Sequence, residues 1–356
     1  MFGFGDATYE GSAAGGRLPA PIVAVSSAAG AAVPGTASCP TTPPLAGQGT
    51  VIAQSVTVPA VPVEALTGSS SLVNPPASDV PASYPGTVLR AANTTTYPGA
   101  RPAVVVLHGL DGDQCQMYWL ASDLAGNGFV ALVLTSPTPP DEAASEGVEI
   151  DAARSAVDFL GTAANPFLSQ TNAGNVGVAG WSEGSIAASV VQELPDMHPV
   201  RAIVALDSLR AALRGDPGVP ETFCLPPVEG PITPVVPALG LSEDAPCDVA
   251  PSNLAANLKL AAWSEWASAG VPAVELPLAG FNHFSFGSPT QLVGDLTVGW
   301  FEAWLENSSA ALSLYTSCSV SGLPLAGVLS ALFDSGAFLP SLQLSTGNYA
   351  QAVAQR

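Results

Sequence analysis

From residue 103 onward the chain alternates between two kinds of segment. Short unbroken apolar runs occur at Ala103–Leu107, Phe129–Leu134, Val176–Ala179, Ala202–Leu206, Val235–Leu241 and Pro272–Leu278, and each has the length of a strand buried on both faces. Between them lie stretches with helical spacing: Met117–Leu124, closed by Gly126-Asn127-Gly128, then Glu149–Leu160, Ile186–Val191, Asn253–Ala269 and Pro289–Glu306. Strand and helix in this alternation predict an α/β class protein, a mostly parallel central sheet with helices on both faces. Upstream, Val51–Val61 and Gly86–Ala92 are β-rich pieces set apart by turn residues, which predicts antiparallel strands leading into that sheet.

The ends of the chain lack this pattern. Residues 1–45 are rich in Ala, Gly and Pro without helical or strand period, and are expected to form an N-terminal arm lying over the surface. Residues 46–309 make the main domain. Residues 310–356 form a C-terminal tail packed on it, in which Leu325–Phe338 could add a helix. Between residues 211 and 234, Pro217, Pro220, Pro226, Pro227 and Pro231 preclude regular structure and predict an excursion above the sheet.

Composition narrows the function classes. A chain of 356 residues, 47% hydrophobic and 11% charged, can bury a large core, and no apolar run is long enough to span a bilayer. Nine Lys plus Arg against 29 Asp plus Glu give a formal net charge of −20, with Lys259 the sole lysine. That charge repels polyanions and excludes nucleic acid as a natural partner. Cys39, Cys115, Cys224, Cys247 and Cys318 lack metal-site spacing and His108, His198 and His283 are scattered, so no metal and no cofactor is expected. A disulfide between Cys224 and Cys247 would close the Pro-rich excursion and imply an oxidising compartment, and Cys318 is a candidate partner for Cys39. The N-terminal residues MFGFGDATYE show no export signal. Asp111 and Asp113 read as a solvated loop, and Asn93-Thr94-Thr95 and Asn307-Ser308-Ser309 match glycosylation sequons.

The chemistry centres on Val176–Ser185, VGVAGWSEGS, where a strand runs into Gly180-Trp181-Ser182-Glu183-Gly184 and out into a helix. Such a turn is a nucleophile elbow. It strains the backbone at its middle residue, glycines on either side prevent strand and helix from clashing, and the serine hydroxyl stands clear of the sheet. Ser182 is therefore the candidate nucleophile. A neutral hydroxyl needs a base. His198 lies in a polar turn on the far side of the sheet, whereas His283, in Gly280-Phe281-Asn282-His283-Phe284, follows the last strand and can drop beside the elbow. The base in turn needs an acid. Asp207 ends the strand after the elbow unit, Asp244 follows the next strand, and Asp248 is a more remote third candidate.

On these residues the chain, over roughly residues 85–307, resembles the α/β-hydrolase superfamily. Within it the chain is similar to extracellular bacterial esterases, lipases and cutinase-like polyester hydrolases, some of which share the Gly-Trp-Ser-x-Gly form of the elbow. It also resembles the chlorophyllase-like and platelet-activating-factor acetylhydrolase-like branches. The resemblance implies an α/β-hydrolase fold and a triad of Ser182, His283 and Asp207, the acid position of those two branches, with Asp244 as the alternative. It further implies an oxyanion hole from the backbone amides of Leu110 and Glu183, with His108 bracing the oxyanion loop. The implied activity is a secreted serine carboxylic-ester hydrolase acting through an acyl-enzyme on neutral hydrophobic esters, polymeric or lipid. An amidase, peptidase or thioesterase would use the same triad, and a catalytically silent binding protein would share the fold. A dienelactone hydrolase is disfavoured because its nucleophile is a cysteine.

Overall fold

The computed structural model describes residues 39, 45, 48–61, 78–139, 142–194, 196–207, 209, 234–243, 266, 269–278 and 281–316. The expected helix at Asn253–Ala269, apart from Trp266 and Ala269, most of the excursion at 211–234, the stretch Leu325–Phe338 and the Cys224–Cys247 pairing lie outside these residues.

Among the described residues eight strands form one sheet in the order β1-β2-β4-β3-β5-β6-β7-β8. They are β1 (Val51–Pro59), β2 (Ser83–Ala91), β3 (Arg101–Leu107), β4 (Val130–Leu134), β5 (Thr171–Trp181), β6 (Val200–Leu206), β7 (Ala238–Glu243) and β8 (Ala273–Leu278). β1 pairs antiparallel with β2, and β2 antiparallel with β4. Every other neighbouring pair is parallel, as the alternation of strand and helix predicts. The α-helices among the described residues are α1 (Gln114–Gly126), α2 (Glu142–Leu160), α3 (Glu183–Val191), α4 (Gln291–Leu305) and α5 (Ser309–Thr316).

Side-chain alternation along the strands divides the core into two layers. Val104 and Val106 of β3, with Ala202, Val204 and Leu206 of β6, pack beside Met117 and Leu120 of α1 and Trp300 and Phe301 of α4. Ala103, Val105 and Leu107, with Ile203 and Ala205, pack beside Val148 and Ala152 of α2 and Ala187 and Val190 of α3. A sheet buried on both faces needs apolar residues at every position, which is why the central strands read as unbroken runs. Tyr315 of α5 packs edge-on against Trp300 and donates to the Leu296 carbonyl, so the first residues beyond 309 extend this layer.

Several boundaries differ from the sequence expectation. β5 begins at Thr171, well before Val176, because its polar first residues pair with Arg101 and Pro102 across an irregularity in register. α1 begins at Gln114, capped by the Asp113 carboxylate, which accepts from the Cys115 amide at 2.8 Å. Asp113 is thus a helix N-cap rather than a merely solvated loop residue. The expected stop at Gly126-Asn127-Gly128 is present as a Schellman closure. The Phe129 amide reaches the Leu124 carbonyl and the Gly128 amide reaches Ala125, with Gly128 at φ +101°. Cys39 is bonded to Cys115 in the first turn of α1, which corrects the pairing with Cys318 and ties the N-terminal arm to this helix.

At the contact of α1 with α4, Asp123 is buried against Gly294, where an added Cβ would stand 2.6 Å from Asp123 Oδ2. Burial, aided by the neighbouring Asp295 carboxylate and opposed by the Asn127 hydrogen bond, raises the Asp123 carboxyl from 3.8 to about 7. The native state therefore binds a proton that the unfolded chain releases near pH 4. Stability falls as pH rises from about 4 to about 7 and stays low above it, by on the order of 2–4 kcal/mol. Asp123→Asn, which keeps the shape and removes the charge, is expected to raise Tm by several degrees at pH 8 and by little at pH 4. Thermal melts at the two pH values check this; equal shifts at both would refute it.

Candidate active site

β3 stands between β4 and β5, so the chain leaves it in opposite directions for the two halves of the sheet. A crevice at such a switch point, beyond the carboxyl ends of the strands, is where doubly wound sheets place their sites. The two loops that open there are His108–Asp113 after β3 and the elbow after β5.

At the elbow Ser182 has φ +56° and ψ −119°, the left-handed strain that the motif predicts. Both flanking glycines are required by close approach: a Cβ at Gly180 would lie 2.0 Å from the Gly184 carbonyl oxygen, and one at Gly184 would lie 2.5 Å from the His108 carbonyl oxygen. The Ser182 amide donates to Leu206 of β6 at 3.1 Å and the Gly184 amide to His108 at 3.0 Å. The turn is thereby clamped to the strand on either side of it.

Ser182 Oγ and His283 Nε2 are 2.9 Å apart, and His283 Nδ1 is hydrogen-bonded to Asp207 Oδ2. A carboxylate on Nδ1 holds the proton there and leaves Nε2 free to accept from the serine hydroxyl. Ser182 and His283 are partly exposed while Asp207 is 3% exposed, so the acid is shielded and the other two open to the crevice. Asp207 itself has φ +86°, a sharp departure from β6 that turns its side chain toward the His283 loop. His283 opens a short 3-10 helix, His283–Gly287, whose capping box pairs Asn282 with Ser285. Trp181 Nε1 donates to the His283 carbonyl at 2.8 Å, joining the His loop to the elbow. Asp244 and Asp248 lie outside the described residues. His198 is exposed before β6, at the opposite end of the sheet.

Gly109 lies against the elbow; a Cβ there would stand 3.1 Å from Ser182 Cβ and 3.0 Å from the Trp181 ring. This brings the Leu110 loop beside Ser182, while Glu183 is the first residue of α3, at a helix end where backbone N–H groups lack intrahelical acceptors and the dipole favours negative charge. Three residues of this loop system escaped the sequence reading. Gln116 Oε1 accepts from the Gly109 amide at 3.0 Å. Ser136, after β4, donates its amide to His108 Nε2 at 3.0 Å, and its hydroxyl is bonded to Glu149 of α2. Only Gln116 left a trace, as the third residue after the N-cap Asp113 in a capping-box-like spacing. Among the described residues no group of His, Cys, Asp and Glu is arranged to hold a metal.

Two aromatic rings lie beside Ser182, one buried and one exposed. Trp181 and Phe284 approach edge to face with centroids 6.4 Å apart, and Phe284 is 73% exposed beside His283. No helix among the described residues is long and apolar enough to cross a membrane.

No curated protein matches the chain in sequence. A family model does: residues 55–208, from β1 through the elbow to Asp207, match the family described as PET hydrolase-like, whose members are hydrolases acting on esters. The parallel sheet flanked by helices, the strained serine between two sterically required glycines and this match together show an α/β-hydrolase fold, similar over residues 55–208 to the PET hydrolase-like family of cutinase-like polyester hydrolases.

Proposed function

We propose that the protein is a secreted serine carboxylic-ester hydrolase that works through an acyl-enzyme on Ser182. The observation that carries this reading is the line of hydrogen bonds Ser182–His283–Asp207 at the mouth of the crevice. His283 Nε2 takes the Ser182 proton as Oγ attacks the ester carbonyl carbon, and Asp207 stabilises the imidazolium that forms. The backbone amides of Leu110 and Glu183 receive the developing oxyanion. Collapse of the tetrahedral intermediate expels the alcohol, which takes its proton from His283. Water, deprotonated by the same nitrogen, then releases the acid. No step calls for a cofactor.

The substrate is a neutral, hydrophobic ester. The exposed Phe284, backed by the buried Trp181, offers a ring beside the nucleophile, suited to flat or extended apolar acyl groups. The family match supports polyesters within this range. The Cys39–Cys115 bond supports an oxidising, extracellular setting. A fluorophosphonate probe tests the reading directly, because only an activated serine reacts with it. The unmodified protein is expected to be labelled at Ser182 and to hydrolyse p-nitrophenyl butyrate. Absence of both would leave a binding protein on a hydrolase fold, and labelling without ester turnover would point to an amide or thioester bond.

A further inference from the structure

Behind the oxyanion loop lies a second chain of polar groups, buried throughout and unused by the reaction just described. His108, Ser136 and Glu149 are 1%, 4% and 1% exposed. We propose that Glu149 is a positioning residue of the oxyanion hole, acting through Ser136 and His108 on the peptide that joins Gly109 to Leu110. The inference rests on the serine-hydrolase reading and extends it to groups remote from the substrate.

The geometry fixes the state of each member. His108 Nε2 receives the Ser136 amide proton, so this nitrogen carries no hydrogen. The proton therefore sits on Nδ1, 2.7 Å from the Gly109 carbonyl oxygen, and is donated to it. That carbonyl also accepts from the Gly112 amide at 2.9 Å. In a trans peptide the C=O of Gly109 and the N–H of Leu110 belong to one rigid plane and point in opposite directions. Two donors holding the Gly109 oxygen thus aim the Leu110 N–H the other way. Bonds to the carbonyl also polarise the peptide and strengthen its N–H as a donor.

Ser136 links this arrangement to α2. Its hydroxyl is 3.0 Å from His108 Nε2 and bonded to Glu149 Oε2, while Glu149 Oε1 is buried without a hydrogen-bond partner. Burial pushes the Glu149 carboxyl up, against the opposing pull of His108 and the Ser136 hydrogen bond. The carboxyl acts on the loop through its hydrogen bond to Ser136. A carboxamide would serve in the same place; a methyl group would not.

The test is steady-state hydrolysis of p-nitrophenyl butyrate by Glu149→Ala, Glu149→Gln and Ser136→Ala, each shown folded by its thermal melt, with fluorophosphonate labelling rates in parallel. A misaimed amide weakens only the transition state. Glu149→Ala and Ser136→Ala are expected to lower kcat and the labelling rate about 10-fold, less than the 10²- to 10³-fold that follows loss of a donor outright, with KM changed less than about twofold. Glu149→Gln should restore kcat to within about threefold of the unmodified protein. Folded alanine variants with unchanged kcat would overturn the proposal, as would KM rising in step with kcat falling, or Gln behaving like Ala. If Glu149→Ala does not fold, Ser136→Ala decides the same question by the same readouts. Failure of the unmodified protein to be labelled is the separate result that removes the hydrolase reading and this inference with it.

Discussion

Ser182→Ala is expected to lower kcat for p-nitrophenyl butyrate by about 10⁵-fold or more, with the thermal melt little changed. The expectation follows from the division of labour at the elbow. On the proposed mechanism Oγ is the atom that bonds to the acyl carbon, activated by its 2.9 Å approach to His283 Nε2. His283→Ala should cost nearly as much, since it leaves a neutral hydroxyl with no base. The double variant should be no worse than the poorer single one, because the two act as a unit and either loss abolishes the same step. What remains would come from binding and the oxyanion donors alone. KM should move little, because neither side chain has been assigned a contact with the bound ester. Steady-state assays on the three variants decide the matter. Full activity in Ser182→Ala would show that the elbow serine is not the nucleophile, and costs that multiply in the double variant would show that serine and histidine act separately.

Much of the fold was legible because the sheet is covered on both sides. From Ala103 onward in β3 and Ala202 onward in β6 every residue is buried in one layer or the other, so these stretches carry an unmixed apolar signal. Where a strand leaves the sandwich the signal vanishes. Thr171–Asn175 opens β5 with polar and small residues held by backbone pairing to β3, and main-chain bonds impose no side-chain pattern. The early start of α2 at Glu142 was hidden similarly, since Glu146, Gly147 and Glu149 look like a solvated stretch, although Glu146 and Glu149 are buried. The Cys39–Cys115 pairing depends on how the arm meets α1, a tertiary event on which cysteine spacing is silent.

At the candidate site, the approach of Ser182 and His283 was legible because strained turns and loop positions after strands leave marks in sequence: glycines that cannot be larger, and a histidine after the last apolar run. Of the relay under the proposed oxyanion loop only His108 was marked, through the resemblance; Ser136 and Glu149 left no trace. Its members come from the end of β3, the loop after β4, and α2, and a buried Glu beside a Ser looks like any surface pair until the fold supplies the burial. Asp207 and Asp244 were harder to separate. Both follow apolar strands that point into one crevice, and periodicity cannot say which carboxylate reaches a loop distant in sequence.

Asp207→Asn is expected to lower kcat about 10⁴-fold, nearly as much as loss of the base. In the proposed triad the carboxylate accepts from His283 Nδ1, which fixes the proton on that nitrogen and leaves Nε2 to take the one from Ser182. A carboxamide in the same place can turn its NH₂ toward Nδ1. The imidazole then carries its proton on Nε2, where it can only donate to Oγ, and the imidazolium formed during attack loses its counter-charge. The loss should fall on kcat and leave KM nearly unchanged. It should also ease as pH rises far enough for hydroxide to substitute for the base, giving a pH profile that climbs with alkalinity where the unmodified enzyme levels off. Asp244→Asn serves as the comparison. If Asp207 is the acid, Asp244→Asn should change kcat by less than about threefold; the reverse pattern, a 10⁴-fold loss at Asp244 and a small one at Asp207, would transfer the role to the carboxylate after β7 and leave Asp207 as a strand-end residue strained at φ +86° for packing alone.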